Sequence, residues 1–376
     1  MTLRPLFYAN KPFFAYLCTM NSLFSVTLLR WFAANGRSLP WRERDDAYAI
    51  WLSEIILQQT RVEQGRDYWL RFMQRFPTVE ALAAATEDEV LRLWQGLGYY
   101  SRARNLYAAA RQVVAMGGFP RSVEGLRQLK GVGDYTAAAV ASMAFNEPAA
   151  AVDGNVFRVL ARHFGIATAI NTTEGHREFT ALATELLPPR EAGTFNQAMM
   201  DFGATLCTPR SPRCADCPFV ETCVARREGR VEELPVKLRK TTIRERRLAY
   251  IYIRCKGDTA IHRRGAGDIW QGLWEPVEME SPSLTPPVGG RISPVEKESP
   301  CDYPVGDEGM GVLENAILLA KDVKHVLTHR ILLADFYFLD TPSRPPLPPD
   351  YIWVPESALD DYAKPRLIER LLEMVP

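Results

Sequence analysis

The chain of 376 residues lacks the compositional extremes that mark fibrous, disulfide-stabilised or disordered proteins. Its 24 glycines are too few for a collagen-like repeat, and its 7 cysteines are too few for a disulfide scaffold. A wholly disordered chain would be far less hydrophobic than the 47% found here. Net charge is lacking too, since 45 basic residues balance 45 acidic ones. These absences leave a globular protein long enough for two or three domains.

Neither a membrane span nor a signal peptide is expected near the start of the chain. The longest uncharged segment near the start, residues 12–29, contains a proline, several polar residues and no small-residue cleavage site. Apolar residues from Leu23 to Phe32 instead predict one face of a helix. We expect residues 1–22 to be a disordered N-terminal extension. A true start at Met20 and a mitochondrial presequence are the alternatives.

Lysine is scarce in the first 230 residues. This part of the chain holds 26 basic and 22 acidic residues, and every basic residue except Lys11 and Lys130 is arginine. The planar guanidinium group of arginine suits phosphate as well as carboxylate. The excess of charge is small, so it indicates a polyanionic partner only weakly.

Helical periodicity dominates the chain from Ser22 to about Cys223, with Pro or Gly at many of the breaks. No convincing strand precedes residue 247, so we expect an all-α domain over residues 23–223. The predicted helices cover Asp46–Thr60, Val62–Phe76, Val79–Ala85, Glu87–Gln95, Ser101–Met116, Val123–Leu129, Tyr135–Phe145, Val156–Phe164 and Glu174–Leu187.

The pattern changes after a charged linker over residues 224–247. Leu248–Arg254 and Asp335–Leu339 are rich in aromatic and β-branched residues, as strands are. The segment Ser281–Asp307 is rich in Pro, Gly and Ser and predicts a mobile loop, and Pro355–Met374 predicts a closing helix. We therefore expect a smaller α+β domain over residues 248–376.

Four of the seven cysteines lie in one loop with the spacing C-x6-C-x2-C-x5-C. Four thiolates in one loop indicate one metal centre, either zinc or an iron–sulfur cluster. Two disulfides are the alternative, but the composition is not that of a secreted protein. Zinc usually takes two Cys-x-x-Cys pairs and only one is present, so an iron–sulfur loop over residues 207–223 is favoured. Its ligands would be Cys207, Cys214, Cys217 and Cys223.

A glycine-rich bend at Gly131 and Gly133 joins two short predicted helices and follows Lys130. Glycine lets backbone N–H groups approach a phosphate, and the N-terminus of the next helix adds partial positive charge. A bend that serves packing alone is the alternative. Together with the four-cysteine loop, this segment predicts a helix-hairpin-helix over residues 124–145.

These two features together resemble the helix-hairpin-helix DNA glycosylase superfamily, of which endonuclease III is an iron–sulfur member. Four further motifs resemble its adenine DNA glycosylases, and the resemblance runs from about residue 22 to the C-terminus. It implies a [4Fe-4S] cluster and a partner of double-stranded DNA with 8-oxoguanine:adenine or guanine:adenine mispairs. The implied function is adenine excision in base excision repair. The motifs are Leu39–Arg42, Ser53–Val62, Gly96–Arg102 and Val152–Val156.

Glu54 and Asp153 are the candidate catalytic residues. Glu54 has apolar neighbours in sequence, and a desolvated carboxyl can hold a proton near neutral pH. A surface glutamate and a turn-forming aspartate are the alternatives. The resemblance implies that Glu54 protonates adenine N7 and that Asp153 stabilises the oxocarbenium ion, supported by Tyr135 and Asn155.

Tyr135 also bears on the type of reaction. The bifunctional glycosylase/lyases of the superfamily carry a lysine at this position, and tyrosine cannot form an imine. We therefore expect a monofunctional glycosylase. An endonuclease III-like pyrimidine glycosylase/AP lyase is the second hypothesis, and a non-catalytic DNA-binding or zinc-dependent regulatory protein is the third.

Further residues are expected to contact DNA. Gln58, Gln59 and Tyr99 stand where family members place wedging and stacking groups, although such residues are as often part of a core. The hairpin residues Lys130, Gly131 and Gly133 are expected to contact phosphate.

The second domain resembles the Nudix-like lesion-recognition module of these enzymes, on the motifs Trp270–Glu275 and Lys324–His329. The metal-binding glutamates of Nudix hydrolases are not found, so pyrophosphatase activity is not expected. The resemblance implies that Thr328 and His329 recognise 8-oxoguanine. Leu327 stands where the family often has phenylalanine, and leucine cannot stack as phenylalanine does. We expect a monomer, without membrane association, that is cytoplasmic and nucleoid-associated if bacterial.

Overall fold

The computed structural model describes residues 11–44, 46–238, 244–279 and 315–376, with the backbone alone over 11–22. The chain divides into two compact units. The helical unit comprises residues up to 85 and 104–239, and the sheet unit comprises residues 86–103 and 240–376. No helix within the described residues is long and apolar enough to cross a membrane.

The nine helices predicted between Asp46 and Leu187 are all present, with ends within three residues of those expected. Among the described residues, two helices were not predicted, α11 and the short α12. The helices are α1 (Lys11–Asn35), α2 (Ala47–Leu57), α3 (Val62–Arg75), α4 (Val79–Ala84), α5 (Glu87–Trp94), α6 (Ser101–Ala115), α7 (Val123–Leu126), α8 (Asp134–Phe145), α9 (Gly154–Phe164), α10 (Thr173–Leu186), α11 (Ala192–Thr205), α12 (Val224–Arg227) and α13 (Arg366–Leu372).

The expected disordered extension is helical over residues 11–22, because α1 begins at Lys11. Pro12 falls in the first turn, where a missing N–H costs nothing, and no glycine or further proline interrupts the helix before Gly36. The apolar face predicted over Leu23–Phe32 is part of this helix, and Phe24 and Leu28 are buried. Residues 1–10 lie outside the described residues.

Helix α11 was missed because two glycines, an asparagine and two threonines lower its helix propensity. The glycines serve close packing instead. A Cβ atom added at Gly193 would lie 2.7 Å from the Ser142 carbonyl oxygen of α8, and one at Gly203 would lie 2.6 Å from the Asn155 Cβ of α9. Tertiary packing of α11 against α8 and α9 thus outweighs its weak local preference and fixes the position of Asn155.

A seven-stranded sheet forms the second unit, in the order β3-β2-β1-β6-β5, with β4 paired to β1 and β7 to β2. The central pair β1 and β6 is parallel, with Ala249 opposite Asp335, and the other pairs are antiparallel. The strands are β1 (Arg244–Cys255), β2 (Asp258–Arg263), β3 (Trp274–Glu275), β4 (Val277–Met279), β5 (Ile317–Val326), β6 (Arg330–Asp340) and β7 (Tyr351–Pro355).

The two predicted strands lie within β1 and β6. The linker was expected to end at residue 247, but β1 already begins at Arg244. The predicted closing helix is interrupted, with a 3₁₀ turn over Glu356–Asp361 followed by α13. Leu367, Ile368 and Leu371 of α13 pack into the core of the sheet unit. The loop expected over Ser281–Asp307 lies entirely outside the described residues.

Residues 86–103 belong to the sheet unit, which differs from the predicted domain boundaries. Arg263 of β2 bridges Glu87 and Asp88 at 3.0 and 2.9 Å. The Tyr100 hydroxyl donates to the Lys364 carbonyl at 3.3 Å. Helix α5 and the Gly96–Arg102 motif are therefore held by partners that follow them in sequence by more than 150 residues, which local patterns do not reveal.

Candidate active site

All four candidate catalytic residues line one cavity of about 360 Å³ in the helical unit. Its walls come from the 3₁₀ turn Pro40–Arg42, from α2, α8 and α11, and from the start of α9. The structure thus brings together side chains that are about 100 residues apart in sequence. They include Glu54, Gln58, Gln59, Tyr135, Asp153 and Asn155.

Glu54 is a buried carboxyl group, not a surface residue. Helix α2 is apolar on all sides, and its residues from Tyr48 to Ile56 are all buried. The pKa of Glu54 is raised to about 7, chiefly by burial and to a smaller extent by the nearby charge of Asp153. The hydrogen bond from Tyr135 and the charge of Arg42 act in the opposite direction. Glu54 can therefore hold a proton at neutral pH while it faces the cavity.

Asp153 is the N-cap of α9. Its Oδ1 accepts from the backbone N–H groups of Asn155 and Val156 at 2.9 and 2.8 Å, and its Oδ2 accepts from Asn155 Nδ2 at 2.7 Å. Burial raises the pKa of Asp153 above its usual value, and these hydrogen bonds and the charge of Arg158 reverse only part of that shift. Three donors and a helix N-terminus favour its ionised form, so Asp153 is the better anion of the two carboxyl groups.

Tyr135 contacts a different carboxyl group from the one expected. Its hydroxyl donates to Glu54 Oε2 at 2.8 Å and lies 3.6 Å from the Met200 sulfur. Of the two residues expected to support Asp153, Asn155 donates a hydrogen bond to it, while the hydrogen bond of Tyr135 is made to Glu54. The reason is that α8 places position 135 opposite α2, which the sequence alone does not show.

Arg158 of α9 was missed by the sequence analysis. Its guanidinium donates to Asn155 Oδ1 at 2.8 Å and to the carbonyl oxygens of Cys207 and Gly203, each at 2.8 Å. It therefore ties the side chain that holds Asp153 to the start of the four-cysteine loop. A signal was present, because Arg158 lies among the apolar residues Phe157, Val159 and Leu160, where a charged residue needs partners.

The glycine-rich bend has the conformation that the sequence predicts. Gly131 is left-handed at φ 75°, and a Cβ atom there would lie 2.6 Å from the Asn105 Cβ. Gly133 is the exposed N-cap of α8 and has open space around its Cα. The backbone of Lys130 donates to Gln112 Oε1 at 2.7 Å, and its side chain is exposed. The bend thus presents an exposed helix N-terminus and a cation on one surface.

The wedging candidates are divided between the two units. Gln58 and Gln59 follow α2 in the helical unit, and Gln59 is exposed in a left-handed conformation at φ 57°. Gln58 Nε2 donates to Thr136 Oγ1 at 3.3 Å. Tyr99 is in the sheet unit, 46% exposed, and also left-handed at φ 48°.

The four cysteines surround one small cavity between α11 and α12. All four thiols line it, together with Arg162, and none of the four is in a disulfide. Arg162 donates to the carbonyl oxygens of Thr208 and Pro209 at 2.7 and 3.1 Å and lies 3.5 Å from the Cys207 sulfur. Within the described residues, no three side chains of ligand type meet closely enough to share a single metal ion. The donor set is thus four thiols spaced around a void, with cationic side chains beside them.

The loop between β5 and β6 carries Thr328 and His329. It is a tight turn closed by the Leu327 N–H, which donates to the Arg330 carbonyl at 2.8 Å. Leu327 packs against the core of the sheet unit, so it anchors the loop. Thr328 and His329 are exposed, and the hydroxyl groups of Thr328 and Tyr99 share a short hydrogen bond. Two motifs 229 residues apart thus form one surface.

Comparison with known proteins gives the same family as the sequence motifs do. A model of the HhH-GPD superfamily of base excision DNA repair proteins matches residues 52–189, and a NUDIX domain model matches residues 249–374. The adenine DNA glycosylase of Buchnera aphidicola from Schizaphis graminum is 34% identical over 255 residues, which cover 67% of this chain and 74% of that protein. The chain belongs to the adenine DNA glycosylase family.

Other members of the family are longer. The human adenine DNA glycosylase is 46% identical over 222 residues, which cover 56% of this chain but only 41% of the human protein. The chain thus matches less than half of the length of its human relative. Among solved structures, a thermostable thymine-DNA glycosylase has a TM-score of 0.52 and 31% identity over 56% of this chain and 98% of its own.

Proposed function

We propose that this protein excises adenine mispaired with 8-oxoguanine or guanine by hydrolysis of the N-glycosidic bond, as a monofunctional glycosylase in base excision repair. The observation that carries the proposal is the pair Glu54 and Asp153 in one cavity, where Glu54 accepts one hydroxyl hydrogen bond and Asp153 accepts three hydrogen bonds at a helix N-terminus. Cleavage of this bond develops negative charge on the base and positive charge on the sugar. One protonated and one ionised carboxyl group stabilise both ends.

Glu54 is suited to protonate the leaving adenine. Its proton is retained at neutral pH by burial, and the Tyr135 hydroxyl holds its Oε2 in place. N7 is the adenine nitrogen that the family resemblance assigns to this proton. A flipped base is needed to reach Glu54, because the carboxyl group lies inside the cavity.

Asp153 is suited to stabilise the oxocarbenium ion. Asn155 and the N-terminus of α9 fix the orientation of the carboxylate before the substrate arrives, so no reorganisation accompanies the reaction. A short-lived covalent bond from Asp153 to C1′, followed by attack of water, would give retention of configuration. Among the described residues that line the cavity, none is a lysine. This composition supports hydrolysis without lyase chemistry.

The four-cysteine loop is proposed to hold a [4Fe-4S] cluster. Four thiols around a common void fit a group of several atoms, whereas a single tetrahedral zinc would draw the sulfurs to roughly 3.8 Å from one another. When bound, the cluster would supply structural cross-links within the loop, which ends beside Arg226 and Arg227 of α12. Purified protein should be brown, with about four iron and four sulfide per chain. One zinc per chain without iron would contradict this assignment.

The partner is proposed to be double-stranded DNA, bound by a monomer. The glycine bend with Lys130 suits phosphate, Gln58 and Gln59 suit the gap left by the flipped adenine, and the surface of Tyr99, Thr328 and His329 suits the opposite base. A DNA substrate places the protein at the nucleoid of the cytoplasm if its source is bacterial.

Incubation with a duplex that carries adenine opposite 8-oxoguanine tests the proposed function. We expect an abasic product that breaks only after hot alkali. Strand cleavage before alkali would identify a lyase, and an intact duplex after alkali would refute adenine excision. A duplex with thymine opposite 8-oxoguanine is the control for base specificity.

A further inference from the structure

Asp201 on α11 is a buried carboxylate that the proposed chemistry does not use. Its side chain has no solvent exposure. Such a group is costly to bury unless it is paired and hydrogen-bonded, so its partners should account for its presence.

Two arginines supply those partners. Arg42 donates through Nη1 to Asp201 Oδ2 at 2.8 Å and through Nη2 to Oδ1 at 2.9 Å, which is a bidentate pair. Arg37 donates its backbone N–H to Oδ2 at 2.9 Å and its Nε to Oδ1 at 3.0 Å. Burial raises the pKa of Asp201, but these hydrogen bonds reverse the shift and lower the pKa to about 2. Asp201 is therefore an anion at every pH at which the protein would act.

Arg42 connects this carboxylate to Glu54. Arg37, Arg42 and Glu54 line the same cavity. Among the charged and titratable groups near Glu54, Tyr135, Asp153 and Arg42 act on it most strongly, and the positive charge of Arg42 lowers the pKa of Glu54. Two guanidinium groups with one carboxylate carry a net charge of +1, whereas without Asp201 they would carry +2. A larger positive charge at the cavity wall would favour loss of the Glu54 proton.

We propose that Asp201 is a positioning residue for adenine excision: its carboxylate holds Arg42 at the cavity wall and offsets positive charge that would otherwise act on Glu54. The inference rests on the proposed function, because it matters only if Glu54 must reach the substrate protonated. Asp201→Asn would keep the shape of the side chain while removing its charge and one of its two acceptors.

The experiment measures Glu54 directly and excision separately. The full-length protein is labelled with ¹³C at its glutamate carboxyl carbons, Glu54→Gln assigns the Glu54 signal, and the signal is titrated in wild type and in Asp201→Asn. The pH at the midpoint of the Glu54 titration is expected to be lower in Asp201→Asn than in wild type, by about half a pH unit or more. The alkaline limb of single-turnover excision should move to lower pH by the same amount. Asp201→Glu, which keeps the charge, should restore the midpoint towards that of wild type.

Two further variants separate this role from a structural one. Asn196→Ala on the same helix removes buried hydrogen bonds to Ser142 and Ala149 without a change of charge, so it should lower Tm and leave the Glu54 midpoint unchanged. Arg37→Gln removes one positive charge and should raise the midpoint of the Glu54 titration, the opposite of the change expected in Asp201→Asn. It therefore tests the same electrostatic effect if Asp201→Asn does not fold.

The outcomes are distinct for the two proposals. An unchanged Glu54 midpoint in Asp201→Asn, an equal shift in Asn196→Ala, or a fall of the midpoint in Arg37→Gln would overturn the inference. Failure of the wild type to release adenine, with the midpoints shifted as expected, would refute the proposed function and leave the electrostatic role of Asp201 standing.

Discussion

At the scale of single residues, surroundings decide which of two carboxyl groups carries a proton. Glu54 lies inside an apolar helix with one hydroxyl donor, so burial dominates its pKa. Asp153 caps a helix and accepts three hydrogen bonds. The residue types were evident from the sequence, but the partners were not, and the partners determine the chemistry.

Replacement of Glu54 by Gln should abolish excision with little loss of duplex binding. An amide fills the same space and cannot donate an acidic proton, so the single-turnover rate should fall by a factor on the order of 10² to 10⁴. Rates and Kd are measured side by side on the same duplex. Asp153→Asn should give the same separation, and near-wild-type rates in either variant would rule out the role of that residue.

The free energy of unfolding should depend on pH because Glu54 is buried. Its pKa is about 7 in the folded state and near 4.5 when unperturbed, so folding favours the protonated form. Its contribution is fully present below about pH 4.5 and is lost as pH rises through about 7. Glu54→Gln should therefore raise Tm relative to wild type more at pH 8 than at pH 5, with a difference on the order of 2 kcal/mol in unfolding free energy. Equal Tm differences at the two pH values would show that Glu54 ionises freely.

At the scale of elements, sequence periodicity located almost every helix of the helical unit, because apolar spacing and capping residues are local. Thr78, Thr86 and Ser122 each cap a helix whose start was predicted from the sequence. Helix α11 escaped because its glycines serve contacts with other helices. Strands β2 and β5 escaped for a related reason, since each mixes charged and apolar residues and is defined by its neighbours in the sheet.

The two glycines of the hairpin should respond differently to alanine. Gly131→Ala places a Cβ atom 2.6 Å from the Asn105 Cβ and requires a left-handed alanine, so we expect a lower Tm and weaker DNA binding. Gly133→Ala meets open space at an ordinary φ of −93°, so Tm should change little. If this backbone approaches phosphate, Gly133→Ala should still weaken DNA binding. Wild-type affinity in Gly133→Ala would mean that the bend serves packing alone.

At the scale of the whole molecule, the position of residues 86–103 changes how the sheet unit is understood. The sequence analysis placed this segment in an all-α domain, yet Arg263 and Lys364 hold it in the sheet unit. Buried side chains of α5 such as Leu91 lie beside Gly272. Removal of residues 231–376 would therefore expose apolar surface on α5 as well as remove the loop that carries Thr328 and His329. Point variants are the sharper test of recognition.

The surface of Tyr99, Thr328 and His329 should determine the preference for 8-oxoguanine over guanine. A hydroxyl and an imidazole can read the N7–H or O8 of 8-oxoguanine, and one such buried hydrogen bond is worth on the order of 1 to 3 kcal/mol. Thr328→Ala combined with His329→Ala should therefore slow excision opposite 8-oxoguanine more than opposite guanine. The ratio of single-turnover rates on the two duplexes measures the preference.

Two matched variants show whether the effect comes from the hydroxyl group or from the loop. Tyr99→Phe keeps the ring but removes the hydrogen bond to Thr328. It should therefore reduce the preference for 8-oxoguanine over guanine, but less than the double variant does. Leu327→Phe introduces the residue common in the family at a position that packs into the core of the sheet unit, so it should leave the preference unchanged if Leu327 acts as an anchor. A double variant that keeps the full preference would refute the recognition role of the loop and leave Gln59 or the ring of Tyr99 as the discriminating group.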